Sequence, residues 1–208
     1  MQLVLASNNA KKLSELRALL VGVDVALVAQ GALGIAEADE PFHTFIENAL
    51  VKARQAAQAS GGAAIADDSG VCVDALGGEP GVASAHYAAI ETSEPDREAR
   101  RRTQDAANNA RLLQRLHSAS DRRAHFVSTL VAVRHAQDPQ PLVAVGRWPG
   151  EILTAPRGTL GFGYDPLMFI PELGCSVAEM DGAQKNAHSH RALACAQMVL
   201  LLREVWRL

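Results

Sequence analysis

Two adjacent carboxylates, Asp67 and Asp68, follow a short apolar run and precede Ser69 and Gly70, within the stretch 63–87, AAIADDSGVCVDALGGEPGVASAHY. Acidic groups at the end of a buried strand are costly unless they are paired or bound to a metal. A hard divalent cation with oxygen ligands is one remedy. A polar turn that closes the strand and leaves both aspartates solvated is the other, and the stretch by itself favours neither. A third carboxylate, Glu40, stands in a loop ahead of a helical run. Thr44 and Glu47 have capping-box spacing there, which gives Glu47 a structural task and leaves Glu40 unclaimed. Lys52, two turns into that helix, either runs along an apolar face or turns into a cleft.

Two further groups set cations beside backbone suited to anions. Ser7, Asn8, Asn9, Ala10, Lys11 and Lys12 link an apolar strand, 2–6, to helical spacing at Leu13, Leu16 and Leu20. Ser or Asn is a good N-cap, and a strand, a polar loop and a helix N-terminus in that order present backbone N–H groups to an anion. Lysines in a first turn oppose the helix dipole. They make sense beside phosphate, although two plain surface lysines are the commoner case. Lys185, His190 and Arg191 repeat this conflict at the start of the C-terminal helix. Between the two groups, Phe162, Gly163, Tyr164 and Asp165 lie in the glycine-rich stretch 156–166. An aromatic ring between glycines can lie flat on a nucleobase, or simply be buried in a structural loop. Carboxylates that hold Mg²⁺ and cations around anionic oxygens together make up the apparatus of phosphoryl or nucleotidyl chemistry.

The elements that position these groups alternate strand and helix. Beyond 2–6, strands are expected at 23–28, 63–66, 71–73, 126–134, 142–148 and 167–170, the pair at 126–148 forming an antiparallel hairpin. Helices are expected after Asn9, from Thr44 to Ser60, from about Asp96 to His117, and from Asp181 onward. Residues 91–96 form a loop. On the third helix Ala99, Thr103, Ala106, Ala110, Leu113 and Leu116 share one face, which reads as core or interface.

With 208 residues, 48% of them hydrophobic, the chain makes a single globular domain with an ample core. A net charge of −3 leaves no basic footprint for a nucleic-acid polymer. Cys72, Cys175 and Cys195 are odd in number and fit no metal or redox spacing, so they read as small buried residues in a reducing compartment. The first residues read as a strand and not a signal peptide. The late apolar run 198–202 is too short to span a bilayer, and the expected location is the cytoplasm. No Walker A sequence, no G-x-G-x-x-G after a strand and no G-x-S-x-G elbow is present, which disfavours P-loop, Rossmann and α/β-hydrolase chemistry.

Five motifs in order, LVLASNNAKKLSEL, TFIENALVKAR, ADDSGVCVDALGGEPG, GFGYDP and KNAHSHRA, closely resemble the inosine triphosphate pyrophosphatase family. The resemblance runs from Leu3 to about Leu201. It implies an α/β fold: a long, twisted mixed β-sheet flanked by helices, in two lobes with the active-site cleft between. It also implies a Mg²⁺-dependent homodimer that cleaves ITP, dITP and XTP between the α- and β-phosphates. By motif, Asp68 matches the proton acceptor and a metal ligand, and Glu40 the second acidic metal ligand. Ser7 to Lys12 match the triphosphate loop, and Ser69 a substrate contact. Phe162 to Asp165 match the base-binding loop. Lys185, His190 and Arg191 match the late substrate group, in which His190 and Arg191 read the 6-oxo edge. Lys12, Lys52 and Lys185 would neutralise the triphosphate. An arginine donor suits a 6-oxo group and meets the 6-amino group of adenine donor against donor. Ala83 and His86 stand where the family commonly has Tyr and Arg, and Asn8 where Gly or Ser-like residues also occur. A Maf-like pyrophosphatase of modified pyrimidine nucleotides and a nucleotide sensor without catalysis are the alternatives. The GFGYDP and SHR stretches argue against the first, and the intact Asp67-Asp68 pair against the second.

Overall fold

Seven strands form one mixed sheet in the order β2-β1-β3-β4-β5-β6-β7. They are β1 (Gln2–Leu5), β2 (Ala26–Ala29), β3 (Ala64–Val73), β4 (Arg123–Val133), β5 (Leu142–Ile152), β6 (Met168–Ile170) and β7 (Cys175–Ser176). β1 pairs in parallel with β2 and β3, whereas β5, β6 and β7 pair antiparallel. The helices are α1 (Ala10–Leu19), α2 (Phe45–Ser60), α3 (Arg97–Arg115), α4 (Gly182–His188) and α5 (His190–Val205). The computed structural model describes residues 1–91 and 93–208. Of the expected loop 91–96, Thr92 lies outside the described residues. Among the described residues, no helix is long and apolar enough to cross a membrane.

The chain forms two compact units. The first comprises Met1–Ser69, Ser128–Arg147 and His188–Leu208, and the second Gly70–Val127 and Trp148–Ala187. In the first unit, side-chain alternation along the strands builds two cores. Leu3, Leu5, Ile65, Leu130 and Ala132 pack with Leu16 of α1 and with Ala194, Met198 and Leu202 of α5. Val4, Ala6, Ala64, Ala66, Val131 and Val133 pack against Ala49, Ala53, Ala56 and Ala57 of α2. A sheet covered on both faces explains why β1 and 63–66 read as continuous apolar runs. In the second unit, Val71, Val73, Leu112, Leu116, Phe126, Trp148, Tyr164 and Met168 share one core.

Four expectations are corrected. The acidic stretch 67–70 is not a turn: β3 runs through it, joining two expected strands into one. The polar residues do not end the strand because buried cations neutralise them, as described below. The strands of the hairpin are longer than expected, at Arg123–Val133 and Leu142–Ile152. The C-terminal helix is two helices, broken at Ser189, whose hydroxyl accepts from Ala192 N–H at 3.1 Å. On α3, Thr103, Ala106 and Ala110 are exposed. The inward face carries Asn108 and Leu112, followed by Leu116 at the helix end. None of the three cysteines is in a disulfide, and of them only Cys195 is fully buried. Burial pushes its thiol up to about 12, so it is inert at neutral pH.

Candidate active site

Adjacent residues of a strand face opposite sides of the sheet, and this separates the two carboxylates. Asp67 follows Ile65 to the side of α1 and α5. Its Oδ2 accepts from Arg191 Nε and Nη2 at 3.0 and 2.9 Å and lies 3.2 Å from Lys12 Nζ. Its Oδ1 accepts from the Ser128 hydroxyl at 2.8 Å. Arg191 also donates to Glu15 of α1 through Nη1, and to Ser69 Oγ through Nη2 at 3.2 Å. Asp67 and Arg191 are 1% and 2% exposed, so neither charge is solvated by water. Burial pushes the Asp67 carboxyl up, but Arg191 and Lys12 outweigh it and hold the group well below the usual carboxylate range. Burial likewise works against the Arg191 charge, and Asp67 with Glu15 raises it above its ordinary value.

Asp68 follows Ala66 to the α2 side. The small inward face of α2 leaves room for Lys52, whose Nζ donates to Asp68 Oδ1 at 2.8 Å, to Glu40 Oε1 at 2.9 Å and to the Asp67 carbonyl at 3.2 Å. Lys52 therefore turns into a polar site and not along an apolar face. Glu40 is set in place by its loop: Asn48 of α2 accepts from Phe42 N–H and donates to Phe42 C=O, at 3.0 and 3.1 Å. Thr44 caps α2, its hydroxyl accepting from Glu47 N–H at 3.3 Å and donating to Glu47 Oε2 at 2.6 Å, so Glu47 has its structural task through this side-chain pair. Asp68 Oδ2 is buried and, among the described residues, has no hydrogen-bond partner. Burial pushes the Asp68 carboxyl up against the pull of Lys52, and Asp68 and Glu40 hold Lys52 protonated against its own burial. An orphaned carboxylate oxygen beside a second carboxylate is a donor set that fits a hard divalent cation.

The Ser7–Lys12 loop sits at the carboxyl end of β1, where parallel α/β sheets place their ligands. Asn9 caps α1, its Oδ1 accepting from Lys11 and Lys12 N–H at 3.0 and 3.3 Å, and Ser7 Oγ accepts from Asn9 N–H at 3.1 Å. Lys12 Nζ also reaches the Asp67 carbonyl at 3.4 Å. Burial lowers the Lys12 pKa, against the pull of Asp67. Asn8, Lys11 and Ser7 are half-buried and Ala10 is exposed.

The second unit holds the aromatic loop. Asp165 Oδ2 accepts from Phe162 N–H at 2.9 Å and from Lys185 Nζ at 2.7 Å, and Lys185 Nζ stands 4.5 Å from the centre of the Phe162 ring. Tyr164 is buried and its hydroxyl donates to the Ser84 carbonyl at 2.9 Å, so it anchors the loop from the core. Gly161 and Gly163 have φ of +78° and +62°, the left-handed region that favours glycine. Lys185 and the pair His190 and Arg191, close in sequence, belong to different units. His190 is buried in the first turn of α5.

Several site residues carried no sequence signal. Glu15 of α1 accepts from Arg191, and Ser128 of β4 donates to Asp67. Asp105 and Asn109 of α3 reach the Gly163 peptide. Their only legible trace is polar residues on the inward face of an amphipathic helix.

An open mixed α/β sheet that buries a carboxylate and ammonium centre beside a strand-loop-helix anion site defines an enzyme-like α/β protein. The chain belongs to the Ham1 family, whose model matches residues 3–201. It is 66% identical over 206 residues to a dITP/XTP pyrophosphatase of Methylibium petroleiphilum, covering 99% of each chain. It is 65% identical over 211 residues to one of Leptothrix cholodnii, covering 100% of each. A solved HAM1 protein structure from Coxiella burnetii superposes with a TM-score of 0.87 at 38% identity, covering 99% of this chain and 100% of that one.

Proposed function

We propose that this chain hydrolyses deaminated purine nucleoside triphosphates, of the ITP, dITP and XTP type, to the monophosphate and pyrophosphate. The reaction removes them from the pool that supplies DNA and RNA synthesis. The observation that carries this reading is the Asp68 carboxylate: buried, held on one oxygen by Lys52, and orphaned on the other. The pyrophosphatase names of relatives at 65–66% identity support the substrate class.

In the reaction, Asp68 orients a water and takes its proton while the bond between the α- and β-phosphates breaks. Burial raises Asp68 toward the working pH, which favours a general base. Lys12 and Lys52 offset charge on the phosphate oxygens. Glu40 and Asp68 are the residues that would hold Mg²⁺, which, when bound, supplies Lewis-acid stabilisation of the triphosphate. Phe162 offers a ring to the base. Arg191 has five N–H donors, and Asp67, Ser69 and Glu15 take four of them. One Nη1 proton is left for a 6-oxo acceptor, with His190 beside it in sequence. Mg²⁺ dependence, a homodimeric state and a cytoplasmic location complete the reading, supported by the oxygen donor set and the family motifs.

The test is incubation with ITP, XTP, ATP, dTTP and UTP, in Mg²⁺ and in EDTA, with pyrophosphate and orthophosphate measured separately. Pyrophosphate is expected from ITP and XTP and lost in EDTA. Turnover confined to dTTP and UTP would replace this reading with a Maf-like one, and binding of ITP without turnover with a sensor.

A further inference from the structure

We propose that Asp105 and Asn109 are positioning residues for the base-binding loop, holding the Gly163 peptide and through it the Phe162 ring. The inference rests on the reading of Phe162 as the surface that meets the base. Asp105 and Asn109 are four residues apart on α3 and therefore neighbours on one face of the helix. Asp105 Oδ2 accepts from Gly163 N–H at 2.9 Å, and Asn109 Nδ2 donates to Gly163 C=O at 3.0 Å. One helix thus satisfies both polar groups of a single residue. That residue follows Phe162 and precedes Tyr164, whose own anchor is the Ser84 carbonyl.

Gly163 faces open space in the Cβ direction: a Cβ placed there would meet nothing within 4 Å. The two hydrogen bonds to α3 hold this residue in a left-handed conformation at φ +62°. Ahead of it, the Phe162 N–H is tied to Asp165, and Asp165 to Lys185. The ring is thus bracketed on both sides along the chain: by a buried ion pair through its own N–H, and by α3 through the next peptide.

A comparison along the same helix separates this from ordinary packing. Asn108 uses its whole amide on structure: its Oδ1 accepts from Ala88 N–H and Gln104, and its Nδ2 donates to Ser84 and Ala85 carbonyls. Asn109 does not. Its Oδ1 is buried and, among the described residues, without a hydrogen-bond partner. An unsatisfied buried acceptor is unfavourable for stability, and such departures concentrate where function sets the geometry. A leucine or alanine at that position would leave the Gly163 carbonyl without this donor.

The experiment measures the affinity of the full chain for IMP and for inorganic pyrophosphate by calorimetry, with kcat and KM for ITP, in Asn109→Ala, Asp105→Ala and Asp105→Asn. Each alanine variant is expected to weaken IMP by about 3- to 10-fold, the effect of one net hydrogen bond. Pyrophosphate affinity is expected to stay unchanged, and KM to move more than kcat. Asp105→Asn keeps an acceptor for Gly163 N–H and is expected to retain wild-type IMP affinity. Should Asn109→Ala not fold, Asn109→Asp keeps the volume but sets a carboxylate against the Gly163 carbonyl, and is expected to give the same selective loss. Equal losses for IMP and pyrophosphate, or no loss for IMP, would overturn the assignment. Wild-type protein that binds pyrophosphate but not IMP would remove the base-binding reading and this proposal together. Wild-type binding of IMP with unaltered variants removes the proposal alone.

Discussion

Each unit buries an acid and an ammonium at nearly the same distance, 2.8 Å for Lys52 and Asp68 and 2.7 Å for Lys185 and Asp165. Their surroundings give them different work. Asp165 spends one oxygen on a lysine and a backbone N–H, and the result is a shaped loop. Asp68 keeps one oxygen buried and, among the described residues, unpaired, beside a second carboxylate that shares its lysine. A buried ion pair is therefore no sign of chemistry by itself. The informative atom is the one the fold leaves unsatisfied, since satisfying it would have been easy for a protein that needed only stability.

The largest effect that would break this comparison is at Asp68. Asp68→Asn preserves shape and the Lys52 hydrogen bond, so the circular dichroism spectrum is expected to be unchanged while kcat falls by about 10²- to 10⁴-fold, the range for a lost general base. Asp165→Asn should instead act mainly on KM and stability. Near-wild-type kcat in Asp68→Asn would make the two acids equivalent and end the distinction.

Next in size is Asp67. Asp67→Ala strands Arg191 and Lys12 in a dry site, and urea unfolding is expected to show a loss of about 3–5 kcal/mol. A loss within the scatter of surface mutants would mean that these charges are solvated. Lys52→Met should come third. Without the ammonium, Glu40 and Asp68 repel each other. The metal-free variant is expected to melt earlier than wild type, and Mg²⁺ at a hundredfold excess over Kd to return about 3 kcal/mol. If Mg²⁺ leaves its Tm unmoved, these two carboxylates do not hold the cation.

The smallest effect is in pH. The Asp67 carboxyl is depressed in the folded chain from the ordinary value of 3.8. A depressed acid contributes stability that is fully present above its unfolded pKa and is lost as pH falls through the folded one. The stability gap between wild type and Asp67→Asn is therefore expected to be flat near neutrality and to shrink below about pH 4. A gap that widens on acidification would contradict the ion-pair assignment.

Much of the chemistry is legible from residue order, because spacing along the chain governs local structure. The Thr44 cap with its Glu47 partner, the strand leading to Ser7 and the Asn9 cap all rest on neighbours within a few residues. Motif order gives the family, and it singles out Glu40, Asp68 and the aromatic loop as candidates. What the linear pattern misjudged is instructive. Residues 67–70 look like a turn because charge normally ends a strand, yet the strand continues. The cations that permit it come from α1, α2 and α5, and Arg191 lies 124 residues away from Asp67. The inward face of α3 was misjudged in the same way: its alanines suggested burial, whereas Asn108 and Asn109 are bound to loops that no periodicity can foresee.

Sequence by itself named the side chains that are candidates for binding a metal, a phosphate and a base. It also determined that Asp67 and Asp68 are adjacent, and a strand's alternation then sends them to opposite faces. Only the tertiary structure decided which carboxylate is consumed by structure and which is left with an oxygen to spare. The energy of a buried charge depends on what packs against it through space, and those partners are brought from distant parts of the chain.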